Sequence, residues 1–154
     1  MKVTGQSYRK AALDHVDVAQ SLLEQKQFAL VSYLAGLSVE CMLRAYAHRV
    51  DQTFDGKHNL QVWFRKSRFD AVIPDGRQKE IGAALSLVVS QWNNSQRYYS
   101  LDLLKSEWKS AGLDRGIKGD FAKELTRRLV SAALDLVTIG EEQWKNSLKR
   151  SQNS

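Results

Sequence analysis

Arginine and histidine side chains are the groups in this chain that could bind or act on a phosphate, and their spacing decides what they can do together. All three histidines, His15, His48 and His58, precede residue 60. Arg44 and His48 lie one helical turn apart, so they could clamp a phosphate between them. The same spacing is just as expected for the edge of a helix that approaches solvent, and both interpretations stay open.

Glu40 precedes Arg44 by one helical turn, within the most apolar segment of the chain, 28–50. An unpaired carboxylate on a mostly buried helix would be unfavourable. We therefore expect a structural ion pair between Glu40 and Arg44 rather than a catalytic carboxylate. With His48 a further turn along, the three side chains can form a ladder on one helix edge.

His58 follows Gly56 and Lys57, close to the start of a predicted short helix. Its side chain could cap that helix, pack against Trp63, or meet an anion beside Lys57 at the helix N-terminus. The structural roles are favoured over the anion-binding one. Arg97, His58, Arg44 and His48 together are the candidates for a catalytic role, and the sequence assigns none of them.

Arg97, Tyr98 and Tyr99 place a cation next to two aromatic rings. Sites that bind single-stranded nucleic acid use such rings to stack bases and such cations to hold phosphates. The same three side chains would also close the end of a helical bundle, with tyrosine hydroxyls bonded to backbone groups. The sequence favours neither interpretation.

The chain is basic, with a net charge of +6 and a pI near 9.5. This favours acidic partners and nucleic acid above all, although part of the excess lies in the tail. The densest basic patch outside the termini consists of Lys57, Arg65, Lys66 and Arg68. Such a patch is usually a solvated helix face, and in a basic protein it is also a candidate phosphate contact.

Motifs of the common enzyme classes are missing from the sequence. It has no phosphate-binding glycine loop, no HExxH, no GxSxG and no cysteine–histidine cluster, so we expect neither a cofactor nor a metal. Cys41, the single cysteine, is expected to be a small buried hydrophobe. We find no secretory signal pattern and no apolar run of membrane-spanning length, and expect a soluble cytoplasmic protein without membrane contact.

The elements that would position these residues are all predicted to be helical, because no segment alternates with the period of a strand. The segment 28–50 is apolar on every face and must lie inside the fold. The first helix is predicted to begin near Thr4 or Gln6, and Pro74 to set the start of another. Ser100 and Asp120 are expected to cap the last two helices.

These features predict a single all-α domain over 1–154, an up-and-down bundle of four main helices with one or two short ones. The loop 113–119 is expected to be mobile, and a basic tail at about 145–154 to fray. Trp144, near that tail, is the best candidate for a partly exposed interface anchor. The apolar seam of the last helix is wide enough to serve both the core and a partner.

Four segments, taken in order, resemble the HEPN family of small helical bundles. They are YRKAALDHVDVAQSLLEQKQF, YLAGLSVECMLRAY, KHNLQVWF and WNNSQRYY, within about residues 7–140. The resemblance implies a HEPN-like bundle that forms homodimers. It also implies a nucleotidyltransferase-like protein or RNA as partner, since members include nucleotidyltransferase partners and toxin-like ribonucleases of toxin–antitoxin systems.

Catalytic HEPN members carry an arginine, four to six residues, and then a histidine, and this chain departs from that pattern. Three residues separate Arg44 from His48, eight separate Arg49 from His58, and no histidine follows Arg97. We therefore expect a binding module without the standard ribonuclease motif. The alternatives are a metal-independent endoribonuclease with a displaced arginine/histidine site at a dimer interface, and a purely structural scaffold.

Overall fold

The computed structural model describes residues 2–153, and every regular element in that range is helical, which confirms the all-α prediction. The α-helices are α1 (Gly5–Glu24), α2 (Phe28–Val50), α3 (Leu60–Ser67), α4 (Gln78–Gln91), α5 (Leu101–Ser110) and α6 (Phe121–Gln152). Short 3₁₀ segments occur at Phe69–Ala71, Asp75–Arg77 and Asn94–Tyr98. The predicted order of elements is therefore present along the chain.

Helix α2 is the centre of the fold, because it contacts α1, α3, α5, α6 and the 3₁₀ segment Asn94–Tyr98. Its apolar side chains cover every face, so it can be buried on all sides. At Gly36, a Cβ atom would lie 2.1 Å from the Cδ1 and Cγ atoms of Trp92. The absence of a side chain at Gly36 thus lets the indole ring rest directly on the α2 backbone.

Four helices begin at a side chain that accepts a hydrogen bond from the first turn: Thr4 before α1, Asn59 before α3, Ser100 before α5 and Asp120 before α6. The last two are the predicted caps. The short helix predicted to begin at His58 begins two residues later, at Leu60, because the Asn59 side chain rather than His58 accepts from Val62 N–H. After Pro74, a 3₁₀ turn precedes α4.

Two predictions at the C-terminal end differ from the structure. The loop 113–119, expected to be mobile, carries Leu113 and Ile117, which pack on a second small core around Phe28, Leu104 and Trp108. The α6 helix continues to Gln152, so most of the tail predicted to fray is helical, and residue 154 lies outside the described residues.

Trp144 is a core residue, and its prediction as a partly exposed interface anchor was wrong. It is 6% exposed, its ring meets that of Tyr46 edge-on, and the Arg49 guanidinium lies 3.4 Å from its ring centroid. The sequence reasoning failed because the long α6 helix carries this residue back onto α2, past the end of the apolar seam.

By length and composition, α2 could cross a membrane: it contains a stretch with a mean hydropathy of 1.4. The expectation that no apolar run reaches that length was therefore wrong. Within the fold 67% of this stretch is buried, as in the core helix of a soluble protein. Signal sequences near an N-terminus share the same length and composition.

Candidate nucleic-acid interface

Glu40 is a buried carboxylate that contacts both an arginine and a histidine. It is 2% exposed, and its Oε1 atom accepts a hydrogen bond from Arg44 Nε at 3.0 Å. His58 Nδ1 lies 3.1 Å and 3.2 Å from the two carboxylate oxygens. The pairing of Glu40 with Arg44 is the one that the spacing predicts, but the histidine that completes the cluster is His58, not His48.

The Arg44 guanidinium is directed into the protein and has little freedom to bind a ligand. Besides Glu40, it donates to the Lys57 carbonyl oxygen and to the Tyr8 hydroxyl. It also lies 4.4 Å from the Trp63 ring centroid, and its side chain is 15% exposed. Arg44 therefore ties the loop before α3 to α2, which is a structural role.

The imidazole of His58 is half-exposed and held at one nitrogen. Because the Glu40 carboxylate accepts from Nδ1, the tautomer with a proton on Nδ1 leaves Nε2 as the nitrogen able to exchange a proton. His58 lines a surface cavity of about 320 Å³ together with Gln61, Trp92 and Asn93. A histidine oriented by a buried carboxylate is a recognised arrangement for proton transfer.

His48 lies apart from this cluster, and its ring meets the Tyr8 ring edge-on at 5.0 Å. Burial lowers the pKa of His48, and the positive charges of Arg44 and Lys2 lower it further. A histidine with cationic neighbours and a packed ring is not placed to clamp a phosphate with Arg44. The predicted Arg44–His48 clamp is thus not formed.

Arg97 lies in a different place, in a cavity of about 290 Å³ between the first turn of α2 and the segment 96–101. We call this cavity the Arg97 cleft. Its cationic residues are Lys26 and Arg97, its aromatic residues are Phe28, Tyr33 and Tyr99, and none of the residues that line it carries a carboxylate. The positive charge of the cleft is therefore not neutralised by its own lining.

Tyr98 is 76% exposed and, unlike its neighbours Arg97 and Tyr99, is not among the residues that line the cleft. The Arg97 guanidinium carbon lies 4.6 Å from the centroid of the Tyr98 ring. On the inner side, burial raises the pKa of the Tyr33 hydroxyl, while the nearby Arg97 charge opposes that rise. Arg97 thus contacts the exposed ring of Tyr98 on one side and the hydroxyl of the partly buried Tyr33 on the other.

Gln96 also lines the cleft. The residue is 4% exposed, and its Nε2 atom donates to the Gln91 carbonyl oxygen at 2.7 Å. Its Oε1 atom is buried and has no hydrogen-bond partner. Sequence analysis did not identify Lys26, Tyr33 and Gln96 as cleft residues. Only the fold brings the loop between α1 and α2 next to the segment that follows α4.

The basic patch predicted near α3 is partly neutralised. Lys57 Nζ lies 3.2 Å from an Asp55 carboxylate oxygen, and Lys66 Nζ lies 3.7 Å from Asp51. Arg65 closes the last turn of α3, and Arg68 follows it in a left-handed conformation with φ 53°. Two of the four cations of this patch are therefore paired with carboxylates, whereas no carboxylate lines the Arg97 cleft.

Over residues 2–153 there is no group of three or more histidine, cysteine, aspartate or glutamate side chains that could hold a metal ion. The chain matches no protein-family model, and no curated protein or solved structure is significantly similar to it. The function must therefore be argued from the geometry of the chain itself.

Proposed function

We propose that this chain is a HEPN-like helical module that binds single-stranded RNA in the Arg97 cleft. The observation that carries the proposal is the pairing, in one cleft, of two cations and several aromatic rings without any carboxylate. Single-stranded nucleic acid is bound by such combinations, because cations hold the phosphates while bases stack on the rings.

The exposed ring of Tyr98 is the expected stacking platform. A tyrosine that is 76% exposed makes few contacts with its own fold, so it is free to receive a base on its face. Arg97, at 4.6 Å from that ring, would meet the adjoining phosphate. The net charge of +6 would assist the encounter with RNA.

The helix lengths are compatible with the HEPN-like bundle: α1, α2, α4 and α6 have 14 to 32 residues, while α3 and α5 have 8 and 10. The segments that carry the resemblance fall on α1, α2, the start of α3 and the edge of the Arg97 cleft. On this basis we also propose that the module is cytoplasmic, forms homodimers and works beside a nucleotidyltransferase-like protein.

The test is the affinity for a fluorescent RNA oligonucleotide, measured by anisotropy with single-stranded and duplex forms of one sequence. We expect the single strand to bind more tightly, because stacking requires unpaired bases. Tyr98→Ala should weaken binding by about 5-fold to 150-fold, in keeping with about 1–3 kcal/mol per stacked base, whereas Tyr98→Phe should not. Equal binding by the wild type, Tyr98→Ala and Tyr98→Phe would reject stacking on Tyr98.

A second candidate function rests on the Glu40–His58 pair, which orients one imidazole towards a cavity. In a metal-independent endoribonuclease, the 2′-oxygen attacks the adjacent phosphorus and the bond to the 5′-oxygen breaks, which gives a 2′,3′-cyclic phosphate. His58 Nε2 would take the 2′-hydroxyl proton, and a water molecule would protonate the leaving 5′-oxygen. This mechanism also needs a cation beside the phosphate. Arg44 is hydrogen-bonded within the protein and Arg97 lines another cleft, so neither guanidinium is placed to supply it. RNA cleavage in EDTA that His58→Ala abolishes would favour this alternative.

A further inference from the structure

The Arg97 cleft and the cavity that His58 lines, which we call the His58 cavity, lie on one face of the central helix. Tyr33 lines the cleft, and Glu40 holds the imidazole of His58. Glu40 follows Tyr33 by seven residues, close to two helical turns of about 3.6 residues each. The two side chains therefore leave α2 in nearly the same direction, about 10 Å apart along its axis.

Trp92 lies between the two cavities. Its ring rests on Gly36, which is about half-way between the two positions on α2. The same ring stacks on that of Tyr33, with a centroid distance of 6.3 Å and an interplanar angle of 22°. Trp92 also lines the His58 cavity. One pair of stacked rings therefore separates the cleft from the cavity.

The charges of the two cavities act on the same tyrosine hydroxyl. Burial raises the pKa of Tyr33, the Arg97 charge lowers it, and the Glu40 charge raises it again. The Tyr33 hydroxyl thus lies within electrostatic range of the cation of the cleft and of the carboxylate that orients His58. The cleft and the cavity are neighbouring parts of one surface.

Among the described residues that line the two cavities, none is an aspartate or a glutamate. Glu40 itself is 2% exposed and is bonded to Arg44 and His58. Cavities elsewhere on the fold do contain carboxylates, such as those of Asp135 and Glu124 on α6. A polyanion can therefore follow the face between Arg97 and His58 without a carboxylate in its path.

We infer that an RNA strand bound in the Arg97 cleft continues past Trp92 and also occupies the His58 cavity. This inference rests on the proposed function and adds the course of the RNA along α2. In the His58 cavity the strand would meet the Gln61 amide and the outer edge of the imidazole, which are polar groups able to contact phosphate, sugar or base. RNA that reaches both cavities should bind more tightly than RNA that fills one of them.

The test places a charge at Gln61, an exposed residue of the His58 cavity. Gln61→Glu should weaken the binding of an eight-nucleotide single-stranded RNA about fivefold, and Gln61→Lys should strengthen it about as much. A charge about 4 Å from a phosphate in water changes an affinity by roughly this factor. Neither variant should alter the binding of a dinucleotide, whose single phosphate would lie at Arg97. NMR titration measures both affinities, including the weak one.

Gln152→Glu and Gln152→Lys are the matched controls. Gln152 is exposed at the end of α6 and lines neither cavity, so the same changes of net charge should have little effect. Arg97→Ala should weaken the binding of both RNAs, because it removes the phosphate contact that they share.

The outcomes separate this inference from the proposed function. Arg97→Ala can weaken binding while the Gln61 variants act no more strongly than the Gln152 variants. In that case the cleft binds RNA, the strand does not enter the His58 cavity, and the inference is overturned. An equal effect of Gln61→Glu on the dinucleotide and on the longer RNA would also overturn it, because the two cavities would not be joined by one strand. If the wild type binds neither RNA, the proposed function is rejected as well.

Discussion

His58 Nδ1 and the buried carboxylate of Glu40 lie 3.1 Å apart, and this contact fastens the loop before α3 to the central helix. Arg44 bonds the same carboxylate and the Lys57 carbonyl oxygen of that loop. Trp63 Nε1 donates to the same carbonyl at 2.7 Å. Glu40 is thus the centre of a polar cluster that holds α2, the loop and α3 in one arrangement.

Glu40→Gln should lower the free energy of unfolding by about 3 kcal/mol, because it leaves the mostly buried Arg44 cation without a counter-charge. Urea unfolding followed by circular dichroism would measure this. The matched control is Asp55→Asn, which removes one charge from an exposed pair with Lys57 and should produce little change. Equal losses of unfolding free energy in the two variants would show that the buried Glu40–Arg44 pair contributes no more to stability than the exposed Asp55–Lys57 pair.

Gly36→Ala should destabilise the fold by about 3 kcal/mol, the upper part of the range for overpacking, because the new Cβ would overlap the Trp92 ring. The ring cannot simply move away, since Trp92 Nε1 donates to the Tyr33 carbonyl oxygen at 3.0 Å. Gly82→Ala is the control: nothing lies within 4 Å of its Cβ, and it should stabilise α4 by about 0.5–1 kcal/mol. Thermal unfolding of both variants tests the close contact directly.

Acidification should destabilise the protein through His48, whose pKa is lowered first by burial and then by the charges of Arg44 and Lys2. As the pH falls, the unfolded chain takes up the proton near its ordinary pKa of 6.5, before the folded protein does. The stabilising contribution of neutral His48 is thus present above about pH 6.5 and lost as the pH falls from there towards the lower folded pKa.

His48→Phe keeps an aromatic ring against Tyr8 but removes the titration. The free energy of unfolding of this variant should decline less between pH 7 and pH 5 than that of the wild type. His15 also has a pKa lowered by burial, so part of the decline should remain. An identical pH dependence in the variant and the wild type would contradict this assignment.

Cys41 should resist thiol reagents in the folded protein. It is 7% exposed, and burial, with the neighbouring Glu40 charge, raises the pKa of its thiol to about 12, so that little thiolate exists at pH 8. Reaction with Ellman's reagent should be slow under native conditions and stoichiometric in urea. Rapid reaction of the native protein would mean that α2 opens far more readily than its burial indicates.

Local patterns were enough to predict the helices, their caps at Ser100 and Asp120, and the pairing of Glu40 with Arg44, because each depends on residues a few positions apart. The partner histidine could not be predicted, since it is brought to Glu40 by the turn between α2 and α3. The Arg97 cleft could also be predicted only in part. The sequence places Arg97 beside the rings of Tyr98 and Tyr99, but Lys26 and Gln96 come close to Arg97 only through the packing of α2 against the 3₁₀ segment Asn94–Tyr98.

The salt dependence of RNA binding tests whether Arg97 contacts a phosphate, because each phosphate contact contributes about −0.7 to the slope of log affinity against log salt concentration for single strands. We expect Arg97→Ala to reduce the magnitude of this slope by about 0.7 and Lys118→Ala, outside the cleft, to leave it unchanged. A slope that is the same in the wild type and in Arg97→Ala, or an absence of salt-sensitive binding, would reject RNA binding in the Arg97 cleft and favour a purely structural scaffold.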